Sequence, residues 1–230
     1  MAFVTPERER LAEAVRHVID AVLTCEDATE EQLGTAADMA ETIARHLGRV
    51  PHDDDRGRGV RTRQERDHED YLPRSPLVGE VSPLAPPIEW ELADGAIRGR
   101  GVFHAAYEGP PGYVHGGWVA LTFDEILGMA NIASGHPGMT GTLKIRYLRP
   151  TPLHTEVELE GRTERVEGRR IVAKGVMRVD GEVTAEAEGL FVVIDAARAL
   201  EYFGRTRGEA APAGVPDDDG GLPDQATMSP

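Results

Sequence analysis

The sequence predicts an α+β fold: one antiparallel sheet wrapped around a long central helix, with a helical hairpin added at the N-terminus. Three observations carry this. Trp118, Val119, Leu121, Phe123, Ile126, Leu127 and Met129 make residues 116–131 apolar on nearly every side, and a helix apolar all round needs cover on all sides. Two runs before it and four after it alternate with a period of two, the mark of half-buried strands. Tight-turn pairs separate several of these runs, so neighbouring strands are antiparallel. A sheet curled around the helix supplies the cover that the helix lacks.

Taken in order, residues 6–24 place Leu11, Val15, Val18, Ile19, Val22 and Leu23 at helical spacing, with Thr5-Pro6 as cap and first turn. Residues 29–47 repeat the pattern with Leu33, Ala36, Ala40, Ile43, Ala44 and Leu47. Thr29 with Gln32 fits a capping box and Gly48 fits the stop. These helices form an N-terminal hairpin over residues 1–50, expected to pack on the main domain or on a partner. Residues 51–86 read as a charged linker and then a proline-rich connector. His52, Asp53, Asp54, Asp55, His68 and Asp70 match no spacing expected of a metal site, and no metal is predicted. The main domain is placed at 87–206. Its strands are read at Ile88–Leu92, Ile97–Ala105, Thr140–Leu148, Glu156–Arg165, Arg170–Val179 and Val183–Ile194. Asp94-Gly95, Glu167-Gly168 and Asp180-Gly181 mark turns. Residues 207–230, rich in Gly, Ala, Pro and Asp, read as a disordered tail.

Composition narrows the function. A net charge of -15 argues against a nucleic-acid partner, which calls for a basic face, and against an anionic membrane surface. No apolar run reaches the roughly 20 residues of a membrane span, and the opening MAFVTPERERL has no apolar signal core. A cytoplasmic location is expected. The single cysteine, Cys25, allows no disulfide within the chain and is read as a buried thiol rather than a nucleophile.

The central helix carries the chemistry. His115-Gly116-Gly117 falls at its start, where backbone N–H groups lack internal partners and the dipole is positive. Without Cβ atoms a ligand oxygen can approach closely, as polarising a carbonyl or holding an oxyanion requires. His115 is placed to bond the loop or touch the ligand. The alternative for the glycine pair is a plain loop-to-helix junction. Asp124 is the candidate base or nucleophile, because a carboxylate in an apolar helix is costly unless paired, hydrogen-bonded or working. The alternative is a carboxylate capped by hydroxyls such as that of Thr122, or paired with an arginine; Glu125 invites the same alternatives. Asp124 lies eight residues past Gly116, about 12 Å along the axis at ~1.5 Å per residue. One small reacting group cannot touch both on the same helix. If both act, they come from two subunits of a dimer with two shared sites.

HGG followed by an acid nine positions after the histidine, within YEGPPGYVHGGWVALTFDEILG, resembles the PaaI-like acyl-CoA thioesterases of the hotdog-fold superfamily. The resemblance spans roughly residues 71–195. It implies that the Gly116 amide, backed by Gly117, polarises a thioester carbonyl while Asp124 of the facing subunit acts as base or nucleophile. Thr140 matches a position whose hydroxyl orients water in some members. Gly109 stands where characterised members often carry Asn or Gln. A CoA ligand brings phosphates, and Arg146, Arg149, Arg162, Arg165, Arg169, Arg170 and Lys174 gather in the late strands and turns. Arg146 and Arg149 are the chosen phosphate contacts, and Glu125 is grouped with the substrate-binding residues. Trp118, Phe123, Met129 and Tyr147 either line an acyl tunnel or pack the core.

The expected activity is hydrolysis of an acyl-CoA thioester by a homodimer or homotetramer that uses no cofactor. Its rivals are a non-catalytic acyl-CoA-binding or scaffold protein, and a dehydratase, which needs a catalytic histidine paired with an acid.

Overall fold

A computed structural model describes residues 4–48 and 75–193. The linker at 51–70, Tyr71, Leu72, Ile194 and the tail at 207–230 lie outside the described residues.

Two helices come first. α1, Pro6–Thr24, starts from Thr5, whose hydroxyl accepts from the Arg8 N–H, with proline in its first turn. α2, Glu30–His46, starts from Thr29 with both halves of the capping box made, and Gly48 ends it at φ 91°. α1 buries Ala12 and packs on a 3-10 turn, Ala105–Tyr107. Its Arg16 donates to the Ser82 carbonyl at 3.0 Å. α2 buries no residue, and Leu33, Met39, Ile43 and Leu47 face solvent. Cys25 was expected buried and is not. It caps the end of α1 and is exposed, because the apolar stripe of α1 ends before it.

Among the described residues the sheet has six strands: β1 Ile88–Ala93, β2 Ala96–Val102, β3 Met139–Tyr147, β4 Glu156–Glu167, β5 Arg170–Val179 and β6 Glu182–Val192. Every pairing is antiparallel, in the order β1-β2-β4-β5-β6-β3. Asp94-Gly95 and Asp180-Gly181 all take positive φ, the geometry of two-residue hairpin turns that match strand twist. Two expectations shift slightly. β2 stops at Val102 rather than Ala105, because the chain turns into the 3-10 segment. The β4–β5 turn is centred on Gly168-Arg169, one residue later than read.

The central helix, α3, spans Gly116–Ala133. Val119, Phe123, Ile126, Leu127 and Ala130 face the inward side chains of the sheet, among them Val157, Leu159, Ile171, Met177 and Phe191. The seat is lined with small residues. A Cβ on Gly161 would stand 3.0 Å from Ile126, one on Gly175 would stand 3.1 Å from Phe123, and one on Gly189 would stand 3.1 Å from Leu127. Glycine on three neighbouring strands thus lets the helix lie close to the sheet. This is the hotdog architecture that the resemblance implies. The helix is not covered on all sides within one chain. Trp118, Leu121, Asp124, Glu125 and Met129 are only half-buried and Ile132 is 49% exposed. β3, the sheet edge next to this open side, is exposed along most of its length.

Candidate active site

The loop before α3 is tied down at several points. The Gly109 N–H donates to the Tyr113 carbonyl at 2.9 Å, the His115 N–H to the Tyr107 carbonyl at 2.8 Å, and the Val114 N–H to the Thr151 carbonyl at 2.9 Å. Tyr107 is buried and stacks edge-on against Phe103 and Trp118. Burial pushes its phenol up to about 12, so the hydroxyl stays protonated and donates to the Leu84 carbonyl. The loop therefore delivers His115 to one fixed place.

His115 is the N-cap of α3. Its Nδ1 accepts from the Gly117 N–H at 2.9 Å. Its carbonyl accepts from the Trp118 N–H at 2.9 Å and the Val119 N–H at 3.3 Å. Of the first four helical N–H groups, three are therefore used within the chain. The fourth, on Gly116, donates to no acceptor among the described residues. It belongs to the peptide unit whose carbonyl, that of His115, accepts two hydrogen bonds, and such chains polarise one another. The helix start thus presents one open, polarised donor. His115 spends its Nδ1 holding the loop–helix junction.

Asp124 lies two turns further on, half-buried. The Thr140 hydroxyl donates to its Oδ1 at 2.7 Å. Among the described residues no cation pairs with it, and the Thr122 hydroxyl donates instead to the Trp118 carbonyl at 2.8 Å. A hydroxyl does cap Asp124, but it is that of Thr140 rather than Thr122. Thr140 reaches Asp124 because of a β-bulge. β3 pairs Thr140 with Phe191 and Thr142 with Leu190, which leaves Gly141 as the extra residue. Leu143, Ile145 and Tyr147 alternate onto the helix side. The added residue brings Thr140 to that side too, where simple alternation would turn it away. The next carboxylate, Glu125, meets Ser75: Oε1 accepts from the Ser75 hydroxyl at 3.3 Å. Burial raises the Glu125 pKa above its ordinary value, opposed by Ser75 and reinforced by the Asp124 charge.

The thioesterase superfamily model matches residues 111–186, which run from just before the glycine pair into β6. Acyl-coenzyme A thioesterase THEM4 of Mus musculus is 34% identical over 95 residues, 40% of this chain and 41% of that protein. Its namesake in Bos taurus is 36% identical over 90 residues, 38% of this chain and 37% of that protein. The chain thus matches only about two fifths of the length of these curated relatives. A crystal structure of a thioesterase superfamily protein is 37% identical with a TM-score of 0.68, covering 80% of this chain and 90% of that one. The chain belongs to the thioesterase superfamily.

Gly109 touches the backbone it precedes: a Cβ there would stand 2.6 Å from the His115 Cα. A longer side chain at this position is incompatible with the way the loop closes on His115. Arg146 pairs with Glu186 at 3.2 Å and Arg149 with Glu182, both on the exposed surface. Phe123 is fully buried, Trp118 and Met129 pack partly buried against the core, and Tyr147 is 56% exposed. Sequence reasoning missed two contacts. Tyr147 donates its hydroxyl to the Gly116 carbonyl at 2.9 Å, and Ser75 holds Glu125. Each joins residues distant in the chain. The only available signal was that Tyr147 lies on the same strand as Thr140.

Proposed function

We propose that the protein hydrolyses the thioester bond of an acyl-CoA, giving the free acid and CoA, at a site shared between two subunits. The observation that carries this reading is the pair of chemical ends on α3. One open N–H sits at the helix start, and one carboxylate held by a hydroxyl sits about 12 Å further along, at ~1.5 Å per residue. A thioester carbonyl oxygen takes the Gly116 N–H of one subunit, which stabilises the oxyanion that forms. Asp124 of the facing subunit either accepts a proton from the attacking water, or attacks the carbonyl carbon itself to form an acyl–Asp124 anhydride that water then cleaves to the free acid. In both routes the carbon–sulfur bond breaks and the CoA sulfur takes a proton. The half-covered face of α3 and the free edge of β3 support a two-fold contact that buries both. The names of the Mus musculus and Bos taurus relatives, acyl-coenzyme A thioesterase, support the substrate class.

Arg146 and Arg149 remain the proposed phosphate contacts. Their partners are surface carboxylates, and such pairs contribute only about 0–1 kcal/mol, so a phosphate can displace them at small cost. A cytoplasmic location belongs to the same proposal. Among the described residues no helix is long and apolar enough to cross a membrane.

The test is thiol release from a panel of short, aryl and long-chain acyl-CoAs. Asp124→Asn keeps the fold and lowers kcat by roughly a hundredfold or more, as expected for loss of a general base or nucleophile. Near wild-type turnover in that variant rejects the role of Asp124. Saturable acyl-CoA binding by the wild-type protein without thiol release would instead favour a non-catalytic binder.

A further inference from the structure

We infer that Tyr147 is a positioning residue for the oxyanion-binding amide of Gly116; this rests on the thioesterase reading above. The need for such a residue follows from the sequence. Two consecutive glycines open α3 and let a ligand oxygen come close, but glycine has the greatest backbone freedom of any residue. A donor aimed at a developing charge must hold its place to within roughly half an ångström. The glycine pair thus provides access and adds backbone freedom that other contacts must remove.

The structure closes that gap from both sides of one peptide unit. The Tyr147 hydroxyl donates to the Gly116 carbonyl at 2.9 Å. At the other end of the same unit the Gly117 N–H donates to His115 Nδ1, also at 2.9 Å. The unit between Gly116 and Gly117 is thus held at both its oxygen and its hydrogen, while the preceding unit, which carries the Gly116 N–H, is held through the His115 carbonyl; with both units fixed, the glycine between them cannot swing the donor away. The Tyr147 ring lies 3.5 Å from the point where a Cβ on Gly116 would stand, so it rests against the side the glycine leaves bare. Packing within one chain does not explain this arrangement, because there Tyr147 is more than half exposed.

Tyr147 also belongs to the strand that holds the other chemical group. Through Thr140, β3 holds Asp124; through Tyr147, it holds Gly116. One edge strand thereby sets both ends of α3.

The test compares wild type with Tyr147→Phe, which keeps the ring and removes only the hydroxyl. Turnover of acetyl-, hexanoyl- and phenylacetyl-CoA is followed by thiol release. kcat is expected to fall about tenfold with KM within about twofold, since misaiming a donor affects the transition state more than binding. The melting temperature should stay unchanged. A second readout avoids turnover: the infrared carbonyl stretch of hexanoyl-CoA bound to Asp124→Asn. It should lie below its free-solution frequency, and adding Tyr147→Phe should move it back toward that frequency. Unchanged kcat with an unchanged carbonyl frequency overturns the inference. So does a rise in KM alone, which would make Tyr147 a substrate contact. A wild-type protein that binds hexanoyl-CoA with a shifted carbonyl but releases no thiol rejects the thioesterase reading and keeps the clamp. One that neither binds nor cleaves these compounds overturns both.

Discussion

Glu125 directly follows Asp124 but meets a different environment, and its pKa has a measurable consequence. Burial raises the Glu125 carboxyl above its ordinary 4.5. The folded state therefore holds this proton at pH values where the unfolded chain has released it. Stability attributable to the group is fully present below 4.5 and is lost as pH rises toward the raised folded value. Glu125→Gln removes the cost of burying charge and keeps an oxygen for the Ser75 hydroxyl. The variant should melt higher than wild type at pH 7, with the gain shrinking as the pH drops toward 4.5. A melting difference independent of pH would show that burial of the charge is not what matters. Single residues varied in how readable they were. Asp124 stood out in the sequence because a carboxylate in an apolar helix asks for a reason. Its partner Thr140 came only through the family resemblance. Ser75 lies 50 positions from Glu125, and no local pattern links them. Cys25 misled because it directly follows a helical stripe, and whether the stripe reaches it depends on where the helix ends.

At the scale of the element, β3 is more than the edge of the sheet. Its bulge turns Thr140 onto the face of Leu143, Ile145 and Tyr147, while Thr142 faces away with Lys144 and Arg146. The two threonines, two residues apart, should therefore respond differently. Thr140→Val removes the hydrogen bond to the Asp124 carboxylate, and bonds to charged groups are worth about 1.5–3 kcal/mol. kcat should drop by about tenfold or more. Thr142→Val should leave turnover as it is. Equal effects of the two substitutions in the thiol-release assay would mean that the bulge does not set which side chain meets Asp124. The strands and α3 were legible because a period of two and an unbroken apolar helix differ plainly in sequence. The bulge was not legible. Thr140-Gly141-Thr142 reads as ordinary alternation, and only pairing with Phe191 and Leu190 on another strand reveals the extra residue. The end of β2 was misplaced for a related reason: Ala105 continues the apolar count, but the turn that packs under α1 decides where the strand stops.

At the scale of the whole molecule, the proposed action of both ends of α3 on one thioester calls for a second chain, and this can be tested without a structure of the dimer. Gly116→Pro is suited to the task. Proline is favoured at the first helical position and removes only the N–H that is open there. His115, at φ -61° and ψ 133°, already has the extended conformation that a following proline demands. The variant should fold and lose about a hundredfold or more in kcat, the cost of deleting an oxyanion donor. Asp124→Asn alone should also be nearly inactive. If each site takes Gly116 from one chain and Asp124 from the other, a dimer with one chain of each kind contains one site built entirely from wild-type groups. Its other site carries both substitutions. Unfolding the two variants together in equal amounts and refolding them yields such mixed dimers as about half of the population. Activity should return to about a quarter of wild type, following from random assembly of a two-fold dimer. Each variant refolded alone should stay inactive. If the mixture also stays inactive while forming mixed dimers, Gly116 and Asp124 must act within one chain or not together. The distance along the helix would then have to be bridged by a bend in the substrate rather than by a second subunit.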